Sequence, residues 1–122
     1  MRILFLFWMA FCSGAFANEG GGGGGGGGIV KMELLVVNLD AGRYVGFTPQ
    51  IKLADPVDEV YVKACVPMLR HEMIKQMLGQ TSAAVQTSEF IAGYAQRLAA
   101  AFNKLMNGDY VKDVFFDNWI VH

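Results

Sequence analysis

The chain has 122 residues, 53% of them hydrophobic, a formal net charge of −1 and only two cysteines. That length argues for one domain and leaves no room for a second. Without Arg2 and its leader, nine basic residues face eleven acidic ones. A near-neutral domain with no basic cluster is a poor candidate for nucleic acid, whose binding depends on neutralising phosphates with Lys and Arg. Cys12 lies in the leader, so no disulfide framework can form inside the folded unit, and Cys65 reads as a small buried hydrophobe.

Arg2 supplies a minimal positive start, and Ile3 to Ala17 form an apolar run ending in Ala15-Phe16-Ala17. Charge, hydrophobic stretch and small residues make the layout of a secretory signal, with Ala15 and Ala17 as the cleavage-site residues. Residues 1–17 are therefore a signal peptide or a short membrane anchor. Fifteen residues rise only about 22 Å as a helix, short of a hydrocarbon core of roughly 30 Å, which favours cleavage. Met9-Ala10-Phe11-Cys12 is a weak match to a lipoprotein site, because Phe11 is bulky where such sites take a small residue. Residues 18–28 make a linker that holds nine consecutive glycines, Gly20 to Gly28. The run cannot join a core, and as a coil its ends sit about 16 Å apart. A tether needs something to be tied to, so the run favours the anchor.

The folding unit is therefore 29–122. Met32 to Asp40 is rich in β-branched and aliphatic residues, Ala41-Gly42 offers turn chemistry, and Arg43 to Leu53 continues extended; the pattern predicts a hairpin. Asp55-Pro56 predicts a helix start, with Asp58 and Glu59 in the first turn where the dipole favours acids. That helix should run to about Leu78, stopped by Gly79, with a kink or break at Pro67. Thr87 caps the next helix. Phe90, Tyr94, Leu98, Phe102 and Met106 recur every four residues and form a core stripe that stops at Asn107-Gly108. Tyr110 to His122 closes the chain as a strand, with Val114, Phe116 and Ile120 on one face and Phe115, Trp119 and Val121 on the other. The order β-β-α-α-β gives an α+β domain, with two main helices packed on one small sheet.

A search for chemistry finds no catalytic, cofactor-binding or metal-binding residues. His71-Glu72 opens a zinc-helix motif, but the second His would have to stand where Lys75 does. Cys65 and His71 are six residues apart, about 600° of helical rotation, so they point to opposite sides and cannot form a nucleophile–base pair. Asp55, Asp58 and Glu59 are accounted for by the helix start. Phe115 and Trp119, on the face of the last strand that a small sheet has least ability to cover, are the candidate interface residues.

Taken along its length, the domain resembles the FliL family of flagellar basal-body proteins. Leu35-Val36-Val37-Asn38-Leu39 is similar to the family's opening strand, and Arg43-Tyr44-Val45 with Ile51-Lys52-Leu53 to its second. Val66-Pro67-Met68-Leu69-Arg70 resembles the proline-and-arginine segment of its long first helix. Gln80-Thr81-Ser82 is similar to its threonine turn, Thr87 to a cap, and Phe102-Asn103-Lys104 to the segment carrying the next helix's asparagine. Val114-Phe115-Phe116 to Ile120-Val121-His122 resembles the terminal strand. Two departures stand out. Only Met1-Arg2 precede a shortened apolar run, and His122 stands where the family tends to end in Gln.

The resemblance implies a stomatin-type fold and a place on the periplasmic face of the inner membrane, or in the soluble periplasm if the leader is cleaved. It implies a non-enzymatic protein that needs no cofactor and self-associates into a ring. Its partners would be flagellar stator and basal-body proteins, with the membrane reached through the N-terminal segment if uncut. The function implied is support of torque, motility and chemotaxis. The rival reading is a free periplasmic binding module or envelope lipoprotein with no flagellar role.

Overall fold

A computed structural model describes residues 28–122. The leader, most of the glycine run, and with them Ala15 and Ala17, lie outside the described residues. Four antiparallel strands form one sheet: β1 (Ile29–Lys31), β2 (Leu35–Asn38), β3 (Tyr44–Leu53) and β4 (Val111–Val121). Three helices, α1 (Glu59–Ala64), α2 (Val66–Met77) and α3 (Ser88–Met106), stand between β3 and β4 in the chain. The result is the expected α+β domain.

β3 is the spine of the sheet. β4 pairs along one side of it, while β1 and β2 share the other, β1 against Gln50–Lys52 and β2 against Tyr44–Phe47. The sequence pattern suggested one strand from Met32 to Asp40; the structure instead breaks it at Met32–Leu34. Pro49 explains the break. Its carbonyl accepts from Met32 N at 3.0 Å, and in a strand the N–H and C=O of one residue point the same way. The donor that proline lacks therefore faces the β1–β2 side, and the ladder cannot continue there.

The β2–β3 connection is a two-residue turn closed by Arg43 N donating to the Asp40 carbonyl at 2.9 Å. Ala41 and Gly42 have φ of 54° and 74°, the left-handed pair that matches the twist of a hairpin. Asp40 also accepts from Ser82 N through Oδ1 at 2.8 Å, tying the hairpin to the α2–α3 loop.

The helix signals act where the sequence put them. The Asp55 side chain accepts from Val57 N at 3.1 Å and opens a 3-10 turn over Pro56–Asp58 that leads into α1. The chain breaks at Cys65, so that Pro67 falls in the first turn of α2, where its missing donor costs nothing. Gly79, at φ +87°, follows the end of α2. Thr87 caps α3 by accepting from Phe90 N at 3.0 Å, and Asn107 ends it in the left-handed region. Tyr94, Leu98, Phe102 and Met106 are all fully buried, with Leu69, Met73 and Met77 of α2 beside them. These side chains form one cluster with Val30, Leu35, Val45, Phe47 and Ile51 of the sheet. The helices thus share one face of the sheet, and among the described residues nothing covers the other.

Candidate interaction surface

The terminal strand is joined to the helical layer by two devices. Asn103 of α3 donates through Nδ2 to the Val111 carbonyl at 3.0 Å and accepts from Val111 N at 2.8 Å. A single amide thereby satisfies both backbone groups at the start of β4. Further along, Phe116 and Trp119 enter an aromatic knot. Trp119 stacks on Phe47 at 4.8 Å, Phe116 meets Phe47 edge-on at 5.3 Å, and Tyr94 stacks on Phe116 at 5.4 Å. The Tyr94 hydroxyl donates to the Met73 carbonyl at 2.7 Å, and burial pushes its pKa well above the ordinary tyrosine value. Trp119 Nε1 donates to the Val85 carbonyl at 3.0 Å.

β4 does not alternate faces as its sequence suggested. The register against β3 slips between Gly46 and Thr48, where Asn118 adopts φ 57°. An extra residue in the left-handed region is a β-bulge, and it shifts every later side chain to the opposite face. Val114, Phe116, Trp119 and Val121 consequently point inward, while Phe115 and Ile120 point outward, at 43% and 50% exposure. Phe115 and Trp119 therefore do not share a face. Phe115 is exposed, and Trp119 is half-buried against Phe47.

The uncovered face can be read from the register. β3 presents Tyr44, Gly46, Thr48, Gln50 and Lys52 outward. Val36 of β2 and Ile120 of β4 stand directly opposite Gly46 on its two sides. Tyr44 stacks with His122 at 5.1 Å, and Gln50 donates to the Asp117 carboxylate. Leu34, Val36 and Ile120 are each at least half exposed, so this end of the sheet shows an apolar patch with a hollow at Gly46. Sequence reading assigned Ile120 to the face of Val114 and Phe116 and so missed this patch. The only local signal was Asn118, a residue that tolerates the left-handed region.

At the edge of the domain, Ser88, Ile91, Ala92 and Ala95 of the α3 N-terminal half and Val114–Phe116 of β4 line an open groove of about 350 Å³. Its walls are apolar and carry no titratable side chain. Elsewhere, Cys65 is fully buried and His71 is exposed on α2. Among the described residues no group of three or more His, Cys, Asp and Glu side chains could hold a metal ion, and no helix is long and apolar enough to cross a membrane.

The architecture is that of a two-layer α+β domain with a helical face sealed by a terminal strand and a sheet face left open. Residues 29–121 match the family model of the flagellar basal body-associated protein FliL. The chain belongs to that family. Membership gives it a role associated with the flagellar basal body and places it in a family of structural flagellar proteins. A search of individually curated proteins gave no match.

Proposed function

We propose that this chain is a non-enzymatic basal-body component on the periplasmic side of the inner membrane. It associates with copies of itself and supports stator function, torque and hence motility and chemotaxis. Family membership over 29–121 carries this reading. The open sheet face supports it, because a monomer rarely leaves a contiguous apolar patch uncovered without a partner. The Ile3–Ala17 run and the glycine linker would deliver the domain across the membrane and, if uncut, hold it there.

Isolation of basal bodies from cells carrying an epitope-tagged full-length chain tests the reading. The chain should co-isolate with basal bodies. Recovery of all of it in the soluble periplasm, with no basal-body fraction, would instead favour a free periplasmic module.

A further inference from the structure

β4 pairs with β3 along one side, so among the described residues the other side of this 11-residue strand is an edge of the sheet. An edge strand carries a row of backbone donors and acceptors that the sheet itself does not satisfy. The register fixes which residues hold them. Pro49 turns its carbonyl toward Met32 N, so Phe116 opposite it sits in a pair that exchanges no hydrogen bonds, and the N–H and C=O of Phe116 point away from β3. Val114, two residues back and opposite Ile51, repeats that direction. Its N–H donates to Asp113 Oδ1 at 2.9 Å. Its carbonyl and both backbone groups of Phe116 meet no partner among the described residues. Asp113 thus blunts the edge on one side, and the bulge at Asn118 ends it on the other. The window left open between them, Val114–Phe116, is the stretch of β4 that lines the groove against Ile91, Ala92 and Ala95 of α3.

We propose that this window and the groove beside it bind an extended segment of another protein, added to the sheet as a further strand with uncharged apolar side chains at alternate positions. The unmet backbone groups call for another extended backbone, which an apolar small molecule would not supply. A strand paired with Phe116 would place alternate side chains in the groove and the intervening ones over exposed Phe115. No titratable side chain lines the groove, so a charge buried there would go unpaired, and the inward side chains of the segment are uncharged. Charge also argues against a second copy of β4 as the occupant. The antiparallel register that joins the two windows, Val114 to Phe116 and Phe116 to Val114, sets Asp113 directly against Asp117 at both ends, and like charges directly opposite are destabilising. The site does not depend on the self-association proposed above.

The probe is a capped hexapeptide that alternates valine and threonine, added at millimolar concentration to the isotope-labelled full-length chain, with amide hydrogen exchange followed by NMR. In the free chain the Phe116 amide should exchange at least tenfold faster than that of Phe115, which the register directs at Gln50. The peptide should slow Phe116 at least tenfold. Ala92→Glu, an exposed substitution that charges the groove wall, should abolish that slowing while Phe115 stays protected, which shows the sheet intact. An unaltered Phe116 amide in millimolar peptide would overturn the proposal, and so would equal slowing in wild type and Ala92→Glu. A Phe116 amide already protected without peptide would overturn it as well. Protection that grows with chain concentration would assign the edge to a second copy, and protection at every dilution would assign it to a segment of the chain's own residues 1–27.

Discussion

Replacing Trp119 by alanine removes an indole that stacks on Phe47 at 4.8 Å, touches Phe116 and Tyr94, and donates to the Val85 carbonyl. Truncating a fully buried aromatic costs about 3–5 kcal/mol. Trp119 keeps part of its ring in water, which lowers the packing loss to about 2–3 kcal/mol. Val85 is fully buried, so its stranded carbonyl adds about 1 kcal/mol. The total of about 3–4 kcal/mol is a large share of the stability of a domain this size, and it should lower the melting temperature by about 12–30 °C. Trp119→Phe keeps a stacked ring and loses only the hydrogen bond, so it should cost about 1–2 kcal/mol. Urea titration of the full-length chain, followed by far-ultraviolet circular dichroism, measures both. If Trp119→Ala costs under about 1 kcal/mol yet abolishes self-association, the side chain belongs to an interface and its inward placement is refuted.

Asn103→Ala should cost about 2–4 kcal/mol in the same titration, because it strands both the N–H and the carbonyl of buried Val111; an unchanged midpoint would show that water replaces the amide. Ala41→Asn should stabilise the domain by about 0.5–1 kcal/mol, since Asn tolerates the left-handed conformation that Ala41 holds at φ 54°. A lowered midpoint in the same titration would show that Ala41 is not strained in this turn. Burial raises the pKa of Tyr94, of Tyr61 beside Tyr110, and of Tyr110 near Asp58. Above the ordinary tyrosine pKa of 10.0 the unfolded chain releases phenol protons that the folded domain keeps. The unfolded state then binds fewer protons, so stability is full below that pH and falls as pH rises. Tyr94→Phe should flatten the decline above pH about 10 in the same titration.

Helix boundaries were legible in the sequence because their causes are local. Asp55-Pro56, Thr87 and Asn107 act on the backbone within a few residues of themselves, and the four-residue stripe of α3 reports its own buried face. The sheet was less legible because its irregularities depend on what lies across the ladder. The break between β1 and β2 is caused by Pro49, which is 15 or more residues away in the chain, and it becomes visible only once β3 is known to be central. The Asn118 bulge exchanges the faces of Trp119 and Ile120 through a register slip that the spacing of apolar residues in β4 did not reveal. The candidate surface inherits that difficulty. Val36, Gly46 and Ile120 come from three strands and form a patch only through their register. The exposure of Phe115, by contrast, was legible from the strand pattern alone, because it precedes the bulge and its outward direction is undisturbed.

The function proposed for this chain is support of the flagellar motor under load. Swimming speed against medium viscosity, measured in a strain deleted for this gene and in the same strain complemented with it, is the decisive measurement. The deletion strain should slow more steeply than the complemented one as viscosity rises. Superimposable speed–viscosity curves, with the chain confirmed present in the complemented strain, would contradict it.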